Sequence, residues 1–242
     1  MDLRIRNGLL GFLFACALWA TTAGAQSLLG PTPYTSQADS PFAAQIVGGS
    51  VTLETFEDGL LNTPFVSASA GAPFGPGGIT DSVDGDDGTI DGFGVAGSSF
   101  FSGSGAAGIT FTFDPSAPAG LPTSAGVVWT DGDGTTLFEA FGPGGVSLGT
   151  IGPVALADGT FSGTTGEDRF FGITNAAGIS AIRISNTLGG IEVDHLQYSV
   201  SAAPPPPAPP TSTADIPLLG PVGLGLLALL LGGAAVGRLR KR

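Results

Sequence analysis

The stretch Ile109-Thr110-Phe111-Thr112-Phe113 alternates strictly between apolar and polar residues. Successive side chains of a β-strand point to opposite faces, so this pattern predicts a strand with one buried face. Similar short runs, rich in Val, Ile, Thr and Phe, recur between clusters of Gly, Asp, Pro and Ser. The further strands predicted from them are 51–56, 126–130, 136–141, 146–151, 169–174, 179–185 and 191–200. Such strands, separated by turn signals, predict an all-β domain with a jelly-roll-like β-sandwich fold.

One hairpin is predicted within this domain. Asp131-Gly132-Asp133-Gly134 lies between the predicted strands 126–130 and 136–141. Asp-Gly is a favoured hairpin turn because Gly adopts a positive φ without steric cost. We therefore interpret the two Asp-Gly pairs as a chain reversal rather than as metal ligands.

Two pairs of adjacent phenylalanines, Phe100-Phe101 and Phe170-Phe171, occur in the same domain. Since neighbouring residues of a strand point to opposite faces, one ring of each pair is expected to face away from its partner. Such an outward ring is either a platform for a sugar ring or packs beneath a loop.

Composition divides the rest of the chain. Residues 26–46 carry Pro, Ser and Ala without periodicity, and we interpret them as a flexible leader. Residues 201–215 contain Pro204-Pro205-Pro206-Pro207-Ala208-Pro209-Pro210, which favours an extended polyproline II spacer. The folded ectodomain is therefore predicted over 47–200.

The C-terminal residues predict a membrane anchor. Between Ile216 and Val236 there is no charged residue, Asn, Gln, Ser or Thr, and the cluster Arg238-Leu239-Arg240-Lys241-Arg242 follows. A spanning helix needs about 20 apolar residues, because each adds about 1.5 Å across a core of about 30 Å. We therefore expect one transmembrane helix within 216–242, with its basic tail in the cytoplasm and the preceding domain outside.

The N-terminal residues agree with export. Arg4 and Arg6 precede an apolar run over 8–20, and Ala23-Gly24-Ala25 follows as a small-residue cleavage site. This arrangement predicts a secretory signal peptide over 1–25. The alternatives are a retained N-terminal anchor and lipidation at Cys16. Because Cys16 is the only cysteine of the chain, cleavage leaves a mature protein without disulfides or cysteine ligands.

The part of the chain expected outside the membrane is strongly acidic. Residues 26–215 contain 19 acidic residues and two basic ones, Arg169 and Arg183, so their formal charge is −17. Such a surface repels nucleic-acid phosphates and anionic lipid headgroups, and it attracts divalent cations. We therefore exclude nucleic acid as a partner. Solubility of a secreted protein also accounts for the excess of acid.

One segment concentrates this charge. Residues 81–91, Asp-Ser-Val-Asp-Gly-Asp-Asp-Gly-Thr-Ile-Asp, contain five carboxylates. Ca²⁺ takes six to eight oxygen ligands, and closely spaced Asp residues in a Gly-rich loop supply them. We therefore predict calcium as a cofactor, with the candidate ligands Asp81, Asp84, Asp86, Asp87 and Asp91. The spacing differs from that of an EF-hand, and a solvated, turn-rich loop is the alternative.

A second, structural calcium site is predicted if the first and last strands of the domain pair. Acidic residues lie at the first strand and within the last one, and carboxylates from paired strands can converge on a cation. The candidate ligands are Glu54, Glu57, Asp58 and Asp194, with Glu192 close to Asp194 in the last strand. Exposed acids on edge strands are the alternative.

Two motif matches are rejected as catalytic. Residues 103–108 (GSGAAG) fit the dinucleotide fingerprint, but a predicted strand follows them where the motif needs a helix. Residues 145–149 (GVSLG) fit the hydrolase elbow, which needs a strand-to-helix turn, yet they lie within a strand pattern. The single histidine, His195, has no second histidine, cysteine or activated nucleophile in the sequence pattern. We therefore interpret His195 as structural.

Two parts of the chain resemble known bacterial families. The tail from Asp215 (DIPLLGPVGL), with its Leu-rich run and Arg-rich end, resembles the IPTL-CTERM sorting tail, a relative of PEP-CTERM. Leu218 stands where those tails carry Thr. The resemblance implies a protein of the Gram-negative cell envelope or surface, which is released when a membrane sorting protease cuts the tail. The stretches 81–92 (DSVDGDDGTIDG), 126–132 (GVVWTDG), 168–174 (DRFFGIT) and 189–198 (GGIEVDHLQY) resemble β-sandwich domains of proteins with such tails, which implies an extracellular domain.

We therefore expect an exported, non-catalytic surface or extracellular-matrix protein that binds polysaccharide, with calcium holding its loops. The rival hypothesis is a carbohydrate-active hydrolase that uses a carboxylate pair, for instance Glu139 with Glu167. Glycosidases place two such acids about 5–10 Å apart across a cleft. A third hypothesis is a structural stalk that needs no ligand.

Overall fold

The computed structural model describes residues 26–77, 79–83, 97–157, 159 and 167–200. Its strands are β1 (Gln26–Pro33), β2 (Val51–Glu54), β3 (Val66–Ala68), β4 (Ala72–Phe74), β5 (Ser99–Ser102), β6 (Ile109–Phe113), β7 (Ser124–Phe141), β8 (Ser147–Val154), β9 (Arg169–Asn175) and β10 (Ala181–Ser199). The helix α1 covers Ala43–Val47, and 3₁₀ turns cover Gln37–Asp39 and Pro143–Gly145. The expectation of an all-β domain is confirmed.

Two long strands, β7 and β10, form the centre of one antiparallel sheet. Their pairing runs from Phe141 opposite Ala181 to Ala125 opposite Tyr198. Beyond β7, β9 pairs with its first half and β8 with its second half. Beyond β10, β6, β5 and β2 pair in turn along its length. The strands β1, β3 and β4 extend the sheet past β9, β6 and β5, so each described strand reaches the β7–β10 pair directly or through one neighbour.

The hairpin predicted at 131–134 is wrong, because the chain does not reverse there. Strand β7 continues through both Asp-Gly pairs and stays paired with β10, with Gly132 opposite Ile191. The register shifts on both sides of this point, so the two strands bulge where they pass. A Cβ on Gly132 would lie 1.7 Å from Nδ2 of Asn186, so this glycine permits a close approach of the strands.

Residues 26–46, predicted as a flexible leader, are part of the folded domain. Strand β1 pairs with β9, and its register shifts between Leu29 and Thr32. The Gly30-Pro31 step between them interrupts any alternation, which is why no strand was predicted there. The strand predicted at 109–113 is found with the same bounds as β6, and the other predicted strands are found with shifted ends. Those at 126–130 and 136–141 are parts of one strand, β7, and those at 179–185 and 191–200 are parts of another, β10. Strands β3, β4 and β5 were not predicted.

The sheet is buried on both faces along β7 and β9. On one face, Val127 and Phe171 belong to the main hydrophobic core. Their neighbours Val128 and Phe170 point to the opposite face and are also fully buried. A second apolar cluster covers that face, and its other fully buried or nearly buried members are Tyr34, Phe42 and Val51. The N-terminal segment that contains α1 therefore forms a second layer over the sheet.

The membrane-related predictions fall on other parts of the chain. In the ranges given above, no helix is long and apolar enough to cross a membrane. The signal peptide predicted over 1–25, the linker over 201–215 and the transmembrane helix over 216–242 lie outside the described residues. They stay predictions. The described residues all belong to one compact unit of the chain, Met1–Ala203.

Substituting Gly132→Ala is expected to destabilise the domain. The added Cβ would collide with Asn186, whose Oδ1 accepts the indole N–H of Trp129 at 2.9 Å. Moving Asn186 leaves this buried donor without its acceptor, which costs about 1–3 kcal/mol. Urea unfolding followed by tryptophan fluorescence measures the loss.

The matched control is Gly103→Ala, since nothing lies within 4 Å of a Cβ built at that position. Its free energy of unfolding is expected to stay within about 0.5 kcal/mol of wild type. Equal stability of the two variants would contradict continuous pairing of β7 with β10 through 131–134.

Candidate functional site

Two acidic residues of β10, Glu192 and Asp194, are buried, with exposed fractions of 3% and 1%. Val193 between them belongs to the main core, so both carboxylates point to the opposite face of the sheet. Burying a charged group is costly unless it is hydrogen-bonded. The backbone N–H of His195 donates to Oδ1 of Asp194 at 2.6 Å, and the other donors that meet these carboxylates come from the segment that begins at Asp81.

The start of the acidic segment is held by both carboxylates. Oε1 of Glu192 accepts the backbone N–H of Asp81 at 3.2 Å. Oδ2 of Asp194 accepts the backbone N–H of Val83 at 2.9 Å. The first residues of this segment are therefore fixed against the outer face of β10.

The end of the same segment is held as well. The hydroxyl of Ser99 donates to Oε1 of Glu192, the oxygen that also accepts from Asp81. Oε1 of Glu57 accepts the backbone N–H of Ser98 at 2.8 Å. The two ends of residues 82–98 therefore meet at one oxygen atom. We call 82–98 the acidic loop, and we call the residues that hold it the carboxylate anchor: Glu57, Glu192 and Asp194.

Burial raises the pKa of both carboxyls that β10 contributes to the anchor. For Glu192, desolvation raises the pKa to about 7, and the nearby charges of Asp131 and Asp81 act in the same direction. For Asp194, desolvation raises the pKa well above its usual range, with smaller contributions from Glu57 and Glu192. Glu192 and Asp194 therefore favour their protonated forms more than exposed carboxyls do.

Of the five ligands predicted for the first calcium site, the structure describes Asp81. Its side chain is 3% exposed, and its backbone N–H contacts the anchor. The other four predicted ligands, Asp84, Asp86, Asp87 and Asp91, lie outside the described residues. Calcium at the acidic loop therefore stays a prediction.

Of the residues predicted for the second calcium site, Glu57 and Asp194 belong to the carboxylate anchor, whereas Glu54 and Asp58 are held in other contacts. Strands β2 and β10 pair as that prediction required, with Glu54 opposite the core residue Leu196. The carboxylate of Glu54 is occupied by backbone donors, the N–H groups of Phe56, Asn62 and Thr63. Asp58 accepts from Leu60 and Asn62 in the same turn. Within the described ranges, no three Asp, Glu, His or Cys side chains form a group that could hold a metal ion.

A β-bulge separates Glu54 from the anchor. After Asp194, three steps along β10 match two steps along β7. His195 supplies the extra residue, with a φ of 46°. The bulge moves later side chains to the other face, so Val193 and Leu196 both reach the main core although they are three residues apart. Asp194 consequently faces the acidic loop, while Glu54 lies on the core side.

His195 is part of a buried polar network. Its Nδ1 lies 3.0 Å from the hydroxyl oxygen of Tyr34, and that oxygen accepts from Nε2 of Gln197 at 3.0 Å. Oε1 of Gln197 accepts the hydroxyl of Ser40 at 2.5 Å. Burial lowers the pKa of His195 to about 4 and raises the pKa of Tyr34 above its ordinary value. The neutral imidazole therefore joins the N-terminal layer to β10.

The two acids of the rival hypothesis lie at different parts of the sheet. Glu139, in the second half of β7, forms an ion pair with Arg183 at an N–O distance of 2.5 Å. Glu167 is buried just before β9, whose first residue Arg169 pairs with Trp129 in the first half of β7. This placement does not support two acids that face each other across one cleft, as glycoside hydrolysis requires.

Glu192 is the site residue that the sequence pattern identified least well. Ile191-Glu192-Val193-Asp194 alternates apolar and acidic residues, which places both acids on one face of a strand. If residues 26–46 were a flexible leader, nothing in the sequence would cover that face, and it would be expected to be exposed. The pattern therefore locates the acids but does not indicate that they are buried.

Comparisons with known proteins provide no family for this chain. No family model and no curated protein matches it. Among solved structures, the chain is similar to the K1 cleaved adhesin domain of Lys-gingipain from Porphyromonas gingivalis W83. The match has 13% sequence identity and a TM-score of 0.37, and it covers 63% of this chain and 99% of that chain. A TM-score this low does not establish a common fold.

The stability of the domain is expected to rise as the pH falls from 8 to 5 in metal-free buffer. Folding raises the pKa of Glu192 to about 7, so protonation favours the folded state, and this stabilisation is lost as the pH rises through 7. Glu192→Gln removes the titration and should reduce the change over this range by on the order of 2 kcal/mol. Urea unfolding at several pH values measures both slopes.

Asp114→Asn is the control for this pH dependence. Asp114 is an exposed acid whose pKa is lowered by hydrogen bonds from Ser116, so it titrates below the range tested. This variant is expected to keep the wild-type slope. A Glu192→Gln slope equal to that of wild type would show that Glu192 is not the titrating group.

Proposed function

We propose that this chain is an exported, non-catalytic protein of the Gram-negative cell surface or extracellular matrix. The C-terminal segment anchors it in the membrane, and a sorting protease that cuts this segment releases it. Its β domain is a jelly-roll-like sandwich that binds polysaccharide. A calcium ion organises the acidic loop.

The carboxylate anchor is the observation that carries the calcium part of this proposal. Both ends of the acidic loop meet at Glu192, and the four further predicted ligands lie between these ends in the sequence. Like charges so close in sequence repel each other, and the segment that carries them is hydrogen-bonded to Glu192 and Asp194, whose burial disfavours ionisation. A divalent cation relieves this repulsion, because Ca²⁺ binds several carboxylate and carbonyl oxygens at once.

The placement of the described ionisable residues supports binding rather than catalysis. His195 is engaged with Tyr34 in a buried network, and Glu139 is paired with Arg183. The anchor carboxylates accept backbone N–H groups. Each of these groups therefore has a structural role that a substrate would have to displace.

The ends of the sequence support the proposed location. The uncharged run from Ile216 to Val236, followed by basic residues, is typical of a membrane span with a cytoplasmic tail. The N-terminal pattern is typical of a signal peptide. A strongly acidic domain between them suits the outside of the cell, where calcium is available at millimolar levels.

The full-length chain is expected to bind calcium with a dissociation constant of roughly 10⁻⁴–10⁻³ M, the range of extracellular modules. Binding to the folded state alone should also raise the midpoint of thermal unfolding. Titration calorimetry measures the uptake. Absence of uptake at millimolar calcium would contradict the proposed site.

Two variants locate the ion. The double variant Asp84→Asn/Asp86→Asn is expected to lose calcium uptake because it removes two carboxylates of the acidic loop. Asp58→Asn, an exposed acid of the second predicted set, should retain it. Loss of uptake in Asp58→Asn with retention in the double variant would assign the ion to the second set.

The full-length chain is also expected to bind at least one extracellular polysaccharide in a glycan screen run with calcium and with a chelator. Non-covalent retention without release of reducing ends is the expected result for a binding protein. Failure with every glycan under both conditions would leave the structural stalk as the remaining role.

A further inference from the structure

An open cleft of about 320 Å³ lies where β5, β7 and β10 meet, away from the core. Its volume is at the small end of the range for ligand sites, about 300–1,000 Å³. The described residues that line it and bear on its chemistry are Phe101, Asp131, Gly132, Asp133, Gly189 and Gly190. One wall is therefore aromatic, another is acidic, and the floor is glycine backbone.

The aromatic wall is Phe101, which the strand alternation turns outward. Phe100 next to it is 2% exposed in the main core, whereas Phe101 is 38% exposed. A Cβ on Gly190 would lie 2.7 Å from Cε2 of Phe101, so the ring rests directly on this backbone. The ring of Phe74, 36% exposed, has its centroid 5.6 Å away. The two rings form a fixed, partly exposed aromatic surface.

The acidic wall comes from the bulged part of β7. Oδ1 of Asp131 accepts the N–H of Gly132 at 2.6 Å, which fixes the orientation of that carboxylate. Asp133 is exposed and lies against Gly189, since a Cβ on that glycine would be 3.1 Å from the Cβ of Asp133. Ionised carboxylates accept hydrogen bonds from hydroxyl groups and donate none. The cleft therefore favours a ligand that donates hydrogen bonds.

The ligand class follows from these two walls. A pyranose ring presents an apolar C–H face, which suits the electron-rich face of an aromatic ring. Its hydroxyl groups donate hydrogen bonds at the ring edge, where carboxylates accept them with the added strength of a charged acceptor. The described lining residues include no basic side chain, and residues 26–215 carry a formal charge of −17. Sugars that bear carboxylate, sulfate or phosphate groups are therefore repelled.

We infer that the cleft formed by Phe101, Asp131 and Asp133 is the polysaccharide-binding site, and that it takes a neutral hexose polymer. The inference rests on the proposed function, to which it adds the position of the site and the class of ligand. A sugar ring stacks on Phe101, and its hydroxyl groups donate to the two aspartates.

Affinity electrophoresis of the full-length chain tests the inference, with calcium present, in gels that contain neutral glucan, mannan or galactan, or acidic polygalacturonate. Wild type is expected to be retarded by at least one neutral polymer and not by polygalacturonate. Phe101→Ala and Asp133→Asn should each weaken this retardation about tenfold or more, which corresponds to about 1.4 kcal/mol. Phe101→Tyr keeps the ring and should preserve most of the affinity.

The matched control is Phe65→Ala. Phe65 is also an exposed phenylalanine, 43% exposed, but it lines a different cleft beside Tyr198. The Phe65→Ala variant should bind the polymer as wild type does. Thermal unfolding checks that each variant is folded. Asp133→Asn changes an exposed side chain, so it tests the site even if Phe101→Ala fails to fold.

Four results would overturn the inference in distinguishable ways. Binding by wild type that survives in both Phe101→Ala and Asp133→Asn would place the polysaccharide elsewhere and leave the proposed function intact. Loss of binding in Phe65→Ala alone would assign it to the cleft beside Tyr198. Retardation by polygalacturonate as strong as by neutral polymers would refute the ligand class. Absence of retardation in every gel would refute the polysaccharide-binding function itself.

Discussion

The pairing of β7 with β10 is the constraint on which the rest of this domain depends. Every described strand joins this pair directly or through a single neighbour, and the pairing links positions as distant as Ala125 and Tyr198. Within this pair, Gly132 leaves room for the side chain of Asn186, which also accepts the indole N–H of Trp129. Backbone pairing, core packing and a buried polar contact therefore coincide at one place in the sheet.

Bulges in this pair direct the chemistry of the domain to its outer surface. One step along β10, from Glu192 to Val193, moves the paired residue on β7 from Asp131 to Trp129. Strand β7 therefore has one extra residue at this point. On β10, the extra residue is His195. An extra residue reverses the face to which later side chains point. Without these bulges, the alternation would turn Asp194 and Asp131 toward the core. With them, Asp194 faces the acidic loop and Asp131 faces the cleft beside Phe101.

The sequence identifies what is encoded locally and misses what distant pairing decides. Strand β6 is predicted to the residue because its alternation is complete within five positions. The Asp-Gly pairs at 131–134 are compatible with a hairpin turn and with a bulged strand, since both need small residues. Here the close approach of Asn186, on another strand, favours the bulged strand. For the site, Asp194 and Asp81 are recognised as acids of interest. The hydrogen bonds between β10 and the segment that begins at Asp81 are not recognised, because the burial of β10 on its second face depends on residues around Tyr34 and Phe42 that show no periodicity.

The meeting of both ends of the acidic loop at Glu192 has an evolutionary consequence. When the ends of a loop are fixed side by side, lengthening it costs only about 0.6 kcal/mol for each doubling of its length. Hydrogen bonds to Glu192 and Asp194 of β10 and to Glu57 beyond β2 hold these ends. Insertions, deletions and changes of composition can therefore accumulate between residues 82 and 98 while the sheet keeps its register, which makes this loop the natural position for diversification among descendants of this domain.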